Sequence, residues 1–188
     1  LAGGVALNCV MNGKLRSAGI FDDIYVQPAA GDAGGALGAA LAVYHIYFKQ
    51  EKRPITAFDS MSGSLLGPSY KDEEVRKVLE KNQARFEYVE QEDVLLDRAA
   101  ALLAQQKIIG WFQGRMEWGP RSLGARSILA DPRSSEMQRI LNEKIKFRED
   151  FRPFAPAVLE EDAGDFFEID FPSPYMLFVA GVAGSRRK

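Results

Sequence analysis

The chain has 188 residues, 46% hydrophobic and 27% charged, with a formal net charge of −2. That composition supports a packed core in one large domain or two small ones, and the charge excludes a general basic surface for nucleic acid. No apolar run is long enough to cross a membrane, and the single cysteine, Cys9, excludes an internal disulfide and fits a reducing, cytoplasmic setting.

The chain opens on LAGGVALNCV, with no basic leader and no initiator Met, and it stops abruptly after AGSRRK. Both ends read as the interior of a longer protein. Gly3 and Gly4 punctuate a turn, and VALNCVMNGKLRSAG reads as a helix closing near Gly19. DDIYVQP alternates apolar and polar residues, so a short strand ending at Pro28 is predicted. AAGDAGGALGAALAVYHIYFK is a second glycine turn feeding a helix with a small-residue face. Glycine turns at strand–helix junctions are α/β grammar, and phosphates are commonly held there. Asp32, between glycines at that helix start, suits either a helix cap or a metal ligand. His45 has no ligand-like neighbour in spacing and reads as a structural or surface histidine.

Residues 51–68 scatter Pro, Gly and Ser without a period and read as a linker between domains 1–50 and 69–188. Ser69 and Asp72 have capping spacing for a helix running to about Asn82. RFEYVE alternates as a strand, EDVLLDRAAALLAQQ as an amphipathic helix, and KIIGWFQG reads as a buried central strand. SSEMQRILNEKI is a short helix with Ser135 and Gln138 at capping-box spacing, and FRPFAPAVL and PYMLFVAGV read as further strands.

Half of the arginines, seven of fourteen, fall in Gly114 to Leu159. They sit among Gly, Pro and aromatics in place of a soluble charged helix. Guanidinium is a planar fork that grips carboxylate and phosphate oxygens two at a time. Arg115, Arg121, Arg126, Lys146, Arg148 and Arg152 therefore read as a preformed anion site, whereas Arg133, Arg139 and Lys144 read as solvated surface charges. One lone histidine excludes a Ser-His-Asp or Cys-His pairing, no Walker loop is present, and no Cys/His metal spacing exists. Any chemistry rests on positioning and charge neutralisation.

In chain order, LAGGVALNCVMNGKL, YVQPAAGDAGGALGAAL, LGPSY, GWFQGRMEWGPRSLGARSILADPR and KIKFREDFRPFAPAV resemble the ATP-dependent O-carbamoyltransferases of the nodulation and antibiotic-tailoring family. The likeness covers nearly the whole chain. It implies an α/β fold: the end of a Kae1-like domain of actin/Hsp70 type, followed by an incomplete YrdC-like domain. It implies formation of carbamoyl-adenylate from carbamoyl phosphate and ATP, then transfer to a hydroxyl-bearing small-molecule acceptor. By the same likeness Gly3, Gly4 and Asn8 match a nucleotide-contacting turn and Asp32 a ligand to a divalent metal, iron or magnesium. Arg115, Arg121, Arg126, Ser127, Lys146, Arg148 and Arg152 match the basic region around the phosphates. The resemblance leaves a homodimer open and implies neither a nucleic-acid nor a membrane partner. Ala125 departs from the Asn more usual in the GPR-x-LG-N-RSI run, and the family's histidine metal ligands would precede Leu1, so the segment alone is expected to be inactive. Two other classes compete: a threonylcarbamoyl-type enzyme acting on tRNA, which the net charge disfavours, and a non-catalytic nucleotide- or phosphate-binding module.

Overall fold

A computed structural model describes all residues of the chain except 53, 55–58 and 188. Part of the expected 51–68 linker thus lies outside the described residues. The chain divides into two compact units: Leu1–Gly67 with Glu117–Leu123 and Ala157–Lys188, and Pro68–Met116 with Gly124–Pro156. The architecture is mixed α/β, dominated by helix, with one two-stranded sheet among the described residues.

In the first unit a 3-10 turn, Gly4–Leu7, leads into helix α1, Cys9–Ser17. Asn8 starts α1 because its side-chain oxygen accepts from the Met11 N–H at 3.1 Å, satisfying one of the orphan donors of the first turn. Helix α2, Asp32–Ala42, follows Gly31 and continues into a π-helical turn, Val43–Tyr47. His45 sits in that turn with Nδ1 on the Gln50 carbonyl at 2.8 Å, the structural place expected of it. The core is built from Ala6, Val26, Ala30, Met61, Tyr175 and Leu177, with Leu7, Ile24, Leu37, Trp118, Leu123 and Phe178 packed on it.

The segment PYMLFVAGV docks on α1 without joining a sheet. Buried Asn12 donates to the carbonyls of Ala6 at 2.7 Å and Leu177 at 2.9 Å, and the Val179 N–H donates to the Cys9 carbonyl at 3.2 Å. Gly13 permits this approach, since a Cβ there would lie 2.6 Å from the Val179 carbonyl oxygen. The strands expected at DDIYVQP and PYMLFVAGV are irregular backbone instead, with a turn at Pro174–Tyr175 and Met176 at φ 53, and Val182 makes an isolated bridge with Phe167. Alternation here reports burial, with Val26 inside and Tyr25 outside, and among the described residues no neighbouring strand completes a ladder. Helix α6, Ala163–Phe166, precedes that bridge.

In the second unit α3, Asp72–Lys81, and α4, Glu92–Ala104, follow the predicted helices. The start of α3 differs from the Ser69–Asp72 expectation: Lys71 is the N-cap, and Glu74 reaches back to accept from its N–H at 2.8 Å. RFEYVE is not a strand; Phe86 and Tyr88 stay exposed, and Tyr88 lies under the Arg76 guanidinium, 5.2 Å from the ring centre. Strand β1, Ile109–Phe112, pairs antiparallel with β2, Arg126–Leu129, placing Trp111 opposite Ser127 and Phe112 opposite Arg126. It is therefore half of a small sheet, alternately half-buried and exposed, in place of the buried central strand its apolar run predicts. Helix α5, Met137–Ile140, runs on as a π-helical turn, Leu141–Lys146, that ends at Phe147 in the left-handed region with φ 48. The Ser135–Gln138 capping box does not form, because Gln138 faces the loop beyond that turn. FRPFAPAVL is not a strand either.

Candidate functional site

In the second unit the π-helical turn is followed by the loop of residues 147–152. Asn142, fully buried, ties it down from three sides. Its Nδ2 donates to the carbonyls of Asp150 at 3.0 Å and Arg152 at 2.9 Å, and its Oδ1 accepts from Arg148 Nε at 2.7 Å. Gln138 Nε2 donates to the same two carbonyls at 3.1 and 3.3 Å. The Arg148 guanidinium also lies against Phe154, 4.9 Å from the ring centre. A cation held over an aromatic face and by one edge is fixed in direction.

Arg152 is in a different state. Its Nε donates to Glu149 Oε2 at 2.8 Å, with both side chains about half exposed. Hydrogen bonds from its own backbone N–H and from Arg152 hold the Glu149 carboxyl below its usual range. Lys146 is exposed at the end of the turn, and Arg115 is exposed beyond β1. Arg126 opens β2, and Ser127 Oγ accepts from the Gly124 N–H at 3.0 Å. Ala125 closes the ladder end through its carbonyl, which accepts from Gln113 N–H at 2.9 Å, so that contact needs no side-chain amide.

Arg133 and Arg139 are occupied locally. Arg133 grips Asp131 with Nε and Nη2, the latter at 2.6 Å, and these bonds lower the Asp131 carboxyl below its usual range. Arg139 pairs with Glu136 at 2.6 Å and Glu143 at 3.0 Å. Both are satisfied surface charges, as their surroundings in the sequence suggest.

Arg121 belongs to the first unit, so the arginine-rich stretch is shared between the two. Its Nη2 donates to the Leu7 carbonyl at 2.6 Å, at the end of the 3-10 turn that follows Gly3 and Gly4. The loop carrying Arg121 is closed by Glu117, whose Oε1 accepts from the Leu123 N–H at 2.9 Å. Within it Gly119 adopts φ 115, and a Cβ there would meet the Ala29 Cβ at 3.2 Å, so only glycine fits. Nothing stands within 4 Å of a Cβ built on Gly3 or Gly4, which leaves their backbone open to a ligand. Asn8 spends its side-chain oxygen on capping α1. Asp32 is exposed in the first turn of α2 and makes no side-chain cap. Among the described residues no three His, Cys, Asp or Glu side chains gather as a metal site, and one carboxylate is only a fraction of the shell a divalent cation takes. No described helix is long and apolar enough to cross a membrane.

The sequence singled out the arginines but not Asn142 or Glu117, and it gave Gln138 a helix-capping role, whereas all three hold loops in place. Polar residues that bond main chain look like ordinary surface residues in a sequence until burial is known.

These features define a mixed α/β protein with an arginine-bearing loop locked by a buried amide. Residues 1–41 match the family model described as Carbamoyltransferase N-terminus, and residues 100–188 match Carbamoyltransferase C-terminus. The chain is 56% identical over 97% of its length to an uncharacterised protein of Synechocystis, covering 30% of that protein. It is 45% identical to the nodulation protein NolO of Bradyrhizobium diazoefficiens, over 97% of this chain and 33% of the relative. It is 37% identical to a 3'-hydroxymethylcephem-O-carbamoyltransferase of Streptomyces clavuligerus, over 95% of this chain and 31% of the relative. The chain belongs to the carbamoyltransferase family. It spans about a third of the length of these relatives.

Proposed function

We propose that the protein carrying this chain is an ATP-dependent O-carbamoyltransferase that moves a carbamoyl group from carbamoyl phosphate to the hydroxyl of a small molecule. The observation that carries this reading is the ordered match to the family's N- and C-terminal models, together with a relative named for O-carbamoyl transfer to a cephem. The Asn142-locked loop supports it, because Arg148 and Arg152 rise from one short segment, as an anionic donor requires. The finer fold assignment, Kae1-like then YrdC-like, and a cytoplasmic setting belong to the same proposal.

In this scheme water releases phosphate from the donor. The freed carbamate oxygen attacks the α-phosphorus of ATP, and pyrophosphate leaves. The acceptor hydroxyl then attacks the carbamoyl carbon, its proton passes to solvent, and AMP leaves. Charge spread over the non-bridging oxygens is what guanidinium and ammonium groups neutralise without covalent catalysis. Arg148, Arg152 and Lys146 take that role at the donor, with Arg115, Arg126 and Ser127 in the same unit. Gly3, Gly4 and Arg121, with Asn8 behind them, face the nucleotide at the first turn. Asp32 provides one carboxylate toward a cation, too few to assign the metal a step.

The test is carbamoyl-phosphate-dependent exchange of labelled pyrophosphate into ATP by the full-length protein without acceptor. Exchange that stops when carbamoyl phosphate is omitted supports adenylate formation. Folded protein with no exchange contradicts it and favours a binding module.

A further inference from the structure

We infer that Asn142 is the positioning residue that aims Arg148 at the donor phosphate. The inference rests on the anion-site reading above. An arginine on a loop is a poor anion clamp unless its fork is held, because free rotation of the long side chain costs entropy on binding. Here the fork is held. Nε is spent on Asn142 Oδ1 at 2.7 Å, and the guanidinium face is set against Phe154. Among the described residues no hydrogen bond leaves Nη1 or Nη2, so the outer edge stays available to a ligand. Arg148, unlike Arg152, is not in an ion pair among the described residues.

The rest of the amide fixes where that edge sits. Nδ2 bridges the carbonyls of Asp150 and Arg152, and the Arg148 N–H returns to the Asn142 carbonyl at 3.0 Å. Asn142 thus bonds Arg148 itself, through backbone and side chain, and the loop just beyond it. Phe147 keeps a left-handed backbone, φ 48, immediately before it. A non-glycine residue holds such a conformation only where its surroundings impose it. An isosteric carboxylate would keep the acceptor for Nε but lose both donors, and a hydrophobe would lose all three contacts. Only an amide satisfies two carbonyls and one N–H together.

The experiment uses the full-length protein and the carbamoyl-phosphate-dependent exchange assay, with KM and kcat resolved for carbamoyl phosphate. Arg148→Ala, Asn142→Ala, the double variant and Arg148→Lys are compared, with thermal unfolding as the folding control. Each single alanine variant is expected to raise KM for carbamoyl phosphate about tenfold while leaving KM for ATP within twofold. The double variant is expected to be no worse than Arg148→Ala, because the two residues act as one unit. Arg148→Lys keeps the charge but loses the held fork, and is expected to fall with Arg148→Ala. If Arg148→Ala leaves KM unchanged, the anion-site reading itself fails. If Arg148→Ala raises KM while Asn142→Ala leaves it unchanged or adds an independent factor, the positioning role is overturned. If Asn142→Ala does not fold, Arg148→Lys decides: full activity overturns the inference, and loss equal to Arg148→Ala supports it.

Discussion

Tyr175 shows how one residue ties two distant segments of the first unit. Its hydroxyl donates to Asp59 Oδ1 at 2.8 Å and accepts from the Gly63 N–H at 3.1 Å. Burial, reinforced by the Asp59 carboxylate, pushes the phenol up to about 12 from 10.0. The folded state therefore keeps its proton where the unfolded state loses it. Its contribution is complete below pH 10.0 and is lost as pH rises toward about 12. Tyr175→Phe is expected to cost about 1–3 kcal/mol near neutrality, since the Gly63 donor loses its partner, and to remove this alkaline loss. Urea unfolding of both proteins across that range checks it; parallel pH curves would contradict the assignment. Gly13→Ala is a second test at this scale. Its Cβ would meet the Val179 carbonyl, so a loss of about 1–3 kcal/mol is expected by thermal unfolding. Sequence alone marks Gly13 as an unremarkable glycine within a helix, because the carbonyl it accommodates comes from far along the chain.

Elements were legible to the degree that their signals are local. The first four α-helices lie within the segments that apolar period and glycine turns mark. Of the expected strands only KIIGWFQG forms one, β1; its partner β2 was not marked in the sequence, and the alternating segments near Val26, Tyr88 and Leu177 do not join a described sheet. Alternation encodes one buried face, and pairing depends on another segment. The cap of α3 was misplaced because Ser69 and Asp72 have the spacing, yet Glu74 supplies the carboxylate. Glu74→Ala is expected to destabilise the protein by about 0.5–1 kcal/mol, with its first effect on α3. Hydrogen exchange of the α3 amides measures it, and unchanged protection there would contradict the cap.

At the scale of the whole molecule, the arginine-rich stretch was legible and its division was not. One run of sequence supplies a loop to each unit, Glu117–Leu123 to the first and residues 147–152 to the second. Spacing shows that cations are dense, while burial and hydrogen bonds show which are already spent. Arg133 and Arg139 are paired with carboxylates, and Arg148 is held by one edge. The central claim is that this held arginine binds the carbamoyl donor. Calorimetric titration of carbamoyl phosphate into the full-length protein and its Arg148→Ala variant tests it most directly. Saturable binding, weakened at least about tenfold in the variant, is the expected result, since a charge-assisted bond contributes about 1.5–3 kcal/mol. Equal affinity in both proteins, or no binding to either while folded, would contradict it.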